Sequence, residues 1–200
     1  MEDRFSTCVS DHTSFRDITL EQQTKDISNA RPGLAKGPAG FDIANLRARI
    51  YGTGDNILCW TSVPTMGLAV ANMLRNPEAV LNRSIFICPF EHLTQNILLS
   101  TLEKVLGERF EVENVDVAKI NKHSRIALAR GEGTKAMKGL TISNQFYEED
   151  CGNDFRHLVE NDLVGVEMMS VEDAVRDVIE RYGKEPEIVQ AMFDVNPCEI

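Results

Sequence analysis

Apolar residues recur along this chain with two spacings, and each change of spacing marks an element. Residues 46–51 and 57–63 are rich in β-formers and flank Gly52-Thr53-Gly54-Asp55-Asn56. Such a cluster supplies the positive φ angles of a hairpin loop, so the pattern predicts two strands paired across it. The spacing then lengthens. Met66, Val70, Met73 and Leu74 fall at i, i+4, i+7 and i+8, predicting a helix opened by Ser62 and Pro64 and closed by Arg75-Asn76-Pro77. Ser84-Ile85-Phe86-Ile87-Cys88 is nearly all apolar and reads as a central strand covered on both faces. Thr94 caps a helix whose Leu98, Leu102, Val105 and Leu106 form a buried stripe, with Gly107 as its left-handed stop. Phe110 and Val112 alternate with Glu111 and Glu113 like a half-buried strand. Together these predict a strand, helix, strand unit paired in parallel through a right-handed crossover.

Helical spacing dominates the chain from Asp116 onward. A mixed helix over 116–130 carries Val117, Ile120, Ala127 and Leu128 on one side, and Gly131 and Gly133 interrupt it. A second, over about 134–148, has Ala136, Met137, Leu140 and Tyr147 on its apolar side. Ser170 and Asp173 open a last helix in which Val171, Val175, Val178 and Tyr182 line one face before Gly183. At the ends the periodicity fades. Residues 1–30 hold too few apolar positions to anchor them and read as a weakly ordered extension, with a short helix over 19–27 as the alternative. Arg31-Pro32-Gly33 marks a break, and 184–200 reads as a polar, proline-punctuated tail.

Composition narrows the function. With 200 residues, 42% hydrophobic and 26% charged, the chain is an ordinary globular sequence of one main domain. A formal net charge of -10 argues against a phosphate-tracking surface, so no nucleic acid is expected as a partner. Lys119, Lys122, His123, Arg125 and Arg130 form the densest basic group, but helical spacing spreads them over a solvated surface. No apolar run is long enough to span a membrane, and no basic leader precedes one, so a cytoplasmic location is expected. The five cysteines, Cys8, Cys59, Cys88, Cys151 and Cys198, are widely spaced without a C-x-x-C pair. They suit neither a zinc site nor a disulfide framework, and Cys59 and Cys88 read as small core residues. The Asn82-Arg83-Ser84 sequon reads as chance without a secretory signal.

One block carries a likeness. It begins Gly40-Phe41-Asp42-Ile43, continues through Tyr51-Gly52-Thr53-Gly54-Asp55, and reaches a small-residue helix ending Asn76-Pro77-Glu78. Asn82-Arg83-Ser84-Ile85-Phe86-Ile87, the Thr94-Gln95-Asn96 helix start and Asn161-Asp162-Leu163-Val164-Gly165-Val166 come after it in order. The series resembles the later part of NmrA-like, isoflavone-reductase-like proteins, an atypical short-chain dehydrogenase branch common in fungi, over residues 31–182. The resemblance implies an α/β fold: the C-terminal portion of an NmrA-like Rossmann-type fold, with an incomplete, mostly parallel sheet and flanking helices. Residues 31–183 would be its substrate-side domain. It also implies an NADP-dependent oxidoreductase, or a shortened form of one, reducing an aromatic or polyketide-like small molecule in fungal secondary metabolism. Family members hold the dinucleotide in an N-terminal half to which nothing here corresponds.

Catalytic signatures are sparse. Gly52-Thr53-Gly54 lacks a third glycine and an immediate helix, so it reads as a turn rather than a phosphate cradle. Gly131-Glu132-Gly133 has no preceding strand, and Glu132 would repel phosphate. None of Tyr51, Tyr147 and Tyr182 has a lysine four residues on, His12, His92, His123 and His157 do not cluster, and no G-x-S-x-G elbow occurs. No catalytic residue is assigned. Ile142-Ser143-Asn144-Gln145-Phe146-Tyr147 is similar to a pocket-lining Ile-Asn-His stretch of plant reductases, which makes Asn144, Phe146 and Tyr147 the implied substrate contacts. Asn144 stands where those proteins have histidine; its amide forms hydrogen bonds but does not titrate near neutrality. Helix-face packing is the competing reading for the two aromatics. Two other readings compete with the enzyme. One is a redox-sensing or protein-binding regulator of the NmrA type, with a protein partner or self-association, and the other is a truncated relic.

Overall fold

The computed structural model describes residues 39–148 and 152–183. The extension over 1–30, the helix at 19–27, the break at 31–33, the tail from 184, and Cys8, His12, Cys151 and Cys198 lie outside the described residues.

Strand β1 (Phe41–Asp42) pairs antiparallel with β2 (Arg47–Tyr51). The bend between them is tied by Asp42, whose carboxylate accepts from the Asn45 backbone N–H at 3.0 Å and from its side-chain amide at 2.8 Å. On its other side β2 pairs in parallel with β3 (Glu111–Val115), from Arg47 opposite Glu111 to Tyr51 opposite Val115. The result is a three-stranded sheet in the order β1-β2-β3, flanked by helices, an α/β arrangement.

Helices α1 (Val63–Arg75), α2 (Pro77–Val80) and α3 (Gln95–Leu106) lie within the connection from β2 to β3. Ser62 caps α1 by accepting from Thr65 N–H, Thr94 caps α3 by accepting from Ile97 N–H, and Gly107 ends α3 at φ 73°. Leu98, Leu102 and Leu106 are buried as their spacing predicts. Next come α4 (Val117–Ala129), capped by Asp116, and α5 (Gly133–Phe146), which packs along it. Two 3-10 turns, Arg156–Leu158 and Asn161–Val164, precede α6 (Val171–Tyr182), capped by Ser170 and packed on α3.

Several expectations need correction. Residues 57–63 do not pair with 46–51: the neighbours of β2 are β1 and β3, and Gly52 N–H is drawn to Val115 O at 3.0 Å. Segment 57–62 belongs to no strand: Leu58 N–H goes to Leu93 O, Cys59 N–H to Asn153 O and Thr61 Oγ1 to Ile87 O. Nor is 84–88 a sheet strand. It keeps one parallel bridge, Phe86 to Val159, and beyond it the Asn161 side chain takes the place of a neighbouring strand, accepting from Cys88 N–H at 3.0 Å and donating to Cys88 O at 2.7 Å. The predicted strand, helix, strand unit is therefore not formed, and the parallel pair is β2 with β3. Within β3 the alternation fails as well, since Val112 is exposed and the buried aromatic, Phe110, precedes the strand. Leu128 and Met137 are exposed rather than buried, because α4 and α5 meet through smaller groups: Gly139 lies against Ser124.

Two buried clusters result. The larger joins the sheet to α3, α4, α5 and α6 through Phe41, Ile50, Tyr51, Leu102, Ile120, Phe146 and Val175. The smaller consists of Ala69, Val164 and Val166, with Met73, Val80, Ile85 and Ile87 half-buried around it.

Candidate functional site

The implied substrate residues sit at the end of α5. That helix stops at Phe146 with Tyr147 as its cap, whose N–H reaches back to Ser143 O at 2.9 Å. Phe146 is turned into the core. Its ring stacks on Tyr51 with centroids 4.8 Å apart, and Trp60 meets it edge-on at 6.3 Å and 85°. Tyr147 is half-buried against the same cluster, while Asn144 is exposed and its carbonyl accepts from Gly152 N–H. Phe146 and Tyr147 thus pack on one cluster, with Asn144 on the exposed side of the same helix end. Beside them Trp60 Nε1 donates to Gln145 Oε1 at 3.2 Å, which fixes the indole. Burial raises the Tyr51 phenol, Arg49 opposes that shift and Glu113 adds to it, so at neutral pH the phenol is protonated.

Trp60 also lines a groove of about 480 Å³. Its floor comes from residues 59–61, 85–87 and Phe155, and one wall from Met66, Ala69, Val70 and Met73 of α1. Phe86 and Phe155 meet there at 5.2 Å with rings tilted by 50°. Sequence reading missed the groove, since its aromatics lie far apart along the chain. One signal was legible: residues 57–74 contain no Asp, Glu, Lys, Arg or His. Cys59 and Cys88 are buried free thiols, and burial pushes the Cys88 thiol up to about 11. Such a thiol is a packing group rather than a nucleophile at neutral pH. At the end of the floor Arg156 binds Asp154 at 2.8 Å through both carboxylate oxygens, which holds that carboxyl below its usual range.

The glycines do not fit a dinucleotide phosphate. Gly52 and Gly54 N–H are already given to Val115 O and Tyr51 O. A Cβ on Gly54 would meet Ile50 Cγ2 at 2.5 Å and Asn96 Oδ1 at 2.7 Å, so this glycine permits the close seat of α3 on the turn. Asn96 completes that seat by donating to Thr53 O and Asp55 Oδ1. At the second candidate, the N–H groups of Gly131 and Glu132 close the end of α4, and the Glu132 carboxylate pairs with Lys135. Among the described residues no three His, Cys, Asp or Glu side chains gather as a metal site, and no helix is long and apolar enough to cross a membrane. His123, in α4, keeps a buried Nδ1 without a partner; His92 and His157 are exposed.

Comparison with known proteins places the chain beside fungal redox proteins. No protein-family model matches it, and no solved structure does. It is 34% identical over 89 residues to the oxidoreductase aprR of Aspergillus flavus, covering 44% of this chain and 29% of that protein. It is 25% identical over 145 residues to the oxidoreductase poxI of Penicillium oxalicum, covering 70% of this chain and 45% of that protein. The chain therefore spans less than half the length of these curated relatives, and its similarity is to proteins named as oxidoreductases.

Proposed function

We propose that this chain is the substrate-side part of an NADP-dependent, NmrA-like oxidoreductase of the cytoplasm that reduces an aromatic or polyketide-like small molecule in fungal secondary metabolism. The observation that carries the reading is the similarity to poxI over 70% of the chain. Residues 31–183 form the substrate-side domain in this proposal. Asn144 and Tyr147 contact the substrate, and Phe146 supports them from the core.

NADP has no fitting cradle among the described residues, so the pyrophosphate contacts belong to a separate dinucleotide-binding half. Holding substrate and cofactor in one geometry is most of what such an enzyme contributes, and the substrate side alone should turn over poorly. The test is NADPH consumption at 340 nm with uncharged aromatic carbonyl compounds. It is run with the chain alone and with the part of poxI outside the matched stretch supplied as a second polypeptide. Turnover that requires the second polypeptide supports the reading. Tight, saturable NADPH binding by the chain alone overturns the division of labour, and a stable protein complex without turnover replaces the enzyme by a regulator.

A further inference from the structure

Deep in a chain of net charge -10, the stretch 57–74 carries no charge, and it supplies both the floor and a wall of the groove. The volume of about 480 Å³ lies within the range of small-molecule sites, roughly 300–1,000 Å³. Three aromatic residues line it. Trp60 is held by Gln145 and the edge of Phe146, and Phe86 and Phe155 brace each other, so the rings are positioned before anything binds.

We propose that this groove binds an uncharged, planar aromatic molecule, lying between Trp60, Phe86 and Phe155 on the floor and Met66, Val70 and Met73 on α1. The charge balance selects the ligand. An anion would enter a strongly acidic protein and find no cation in the lining, and a cation would find no carboxylate there. A flat ring gains offset or edge contacts from the three aromatics, and the two thioethers favour ring edges. Thr61 gives its hydroxyl proton to Ile87 O at 3.0 Å, which leaves oxygen lone pairs to accept from a ligand hydroxyl. Binding in this groove does not rest on the oxidoreductase reading, which places the substrate at Asn144 and Tyr147, outside the lining.

Trp60 is the chain's one tryptophan, so intrinsic fluorescence reports on this groove directly. The purified chain is titrated with 1-hydroxyanthraquinone and, in parallel, with anthraquinone-2-sulfonate. Saturable one-to-one quenching by the uncharged compound is expected, with the sulfonate weaker by about tenfold or more for want of a countercharge. Val70 is 53% exposed, so Val70→Arg puts a cation over the groove without entering the core, and it should weaken the uncharged compound by about tenfold. Leu74→Arg, at a position 77% exposed and outside the lining, should leave binding unchanged. Met66→Glu serves as a second blocking variant, and circular dichroism checks that each variant folds. Quenching that fails to saturate, ignores both blocking variants or accepts the sulfonate equally would overturn the site. So would sedimentation showing a second copy of the chain over this face. Quenching without turnover in the NADPH assay keeps the site and removes the oxidoreductase reading; turnover without saturable quenching does the reverse.

Discussion

Gln95 shows how one side chain joins three parts of the fold. It is 1% exposed, accepts from Tyr51 N–H at 2.9 Å, and donates to Ala39 O at 2.9 Å and Arg49 O at 3.1 Å. Leucine would fill similar space but leave those backbone groups buried without this partner. Gln95→Leu should therefore cost about 2–4 kcal/mol, read as a lower urea midpoint at constant slope. Cys88 gives a pH-dependent counterpart. Its thiol titrates at about 11 in the folded chain against a reference of 9.0, burial being the main cause. Between those values the unfolded chain has lost the proton that the folded chain keeps, so stability is complete below pH 9 and falls as the pH rises towards 11. Cys88→Ala should flatten part of that decline in denaturation curves taken across the interval. The remainder belongs to other groups, Tyr51 among them, whose phenol is also raised by burial.

Among elements, helices were far more legible than strands. Their signals are local: Thr94, Asp116 and Ser170 each accept from the N–H three residues on, as the sequence at those positions foretells. Because Thr94 is 2% exposed and water cannot replace its hydroxyl, Thr94→Ala should destabilise the protein by about 1 kcal/mol. Ser62→Ala, at the exposed cap of α1, should cost less, and paired thermal melts measure both. Strand pairing is decided far along the chain, and there the reading failed. Residues 47–51 form the expected strand, Leu46 before them being a turn residue at φ 51°, but nothing near Gly52 announces that the partner is 111–115. Segment 84–88 misled for a related reason, because the Asn161 side chain takes the place of a neighbouring strand at Cys88. At the candidate site, Phe146 and Tyr147 were legible as aromatics on one helix end. The stacking of Phe146 on Tyr51 and the meeting of Phe86 with Phe155 were not, since each pair is set by tertiary packing.

At the scale of the molecule, the two buried clusters are unequal, and their inequality sets the order of opening. The larger ties sheet strands to four helices, whereas the smaller rests on Ala69, Val164 and Val166. Helix α1 belongs to the weaker side, since only Ala69 of its residues is buried while Met66, Leu68, Val70 and Leu74 stay exposed. The extended segments differ in the same direction. Arg47–Tyr51 is paired on both sides, but the Ile85 and Ile87 N–H groups donate to no carbonyl of a described residue. A region with little buried apolar surface opens at a lower free energy than the whole molecule. Native-state hydrogen exchange read by mass spectrometry should therefore show peptides from 63–88 exchanging well before those from 47–51 and 95–106. Low urea should narrow that gap, because global unfolding exposes more surface and so has the steeper dependence on denaturant. The groove lies on the opening side, so 1-hydroxyanthraquinone, if it binds there, should slow exchange in 63–88 and leave 95–106 unchanged. A single exchange free energy shared by all these peptides would mean that the clusters unfold as one unit, and the weaker one would then owe its stability to contacts other than its own buried residues.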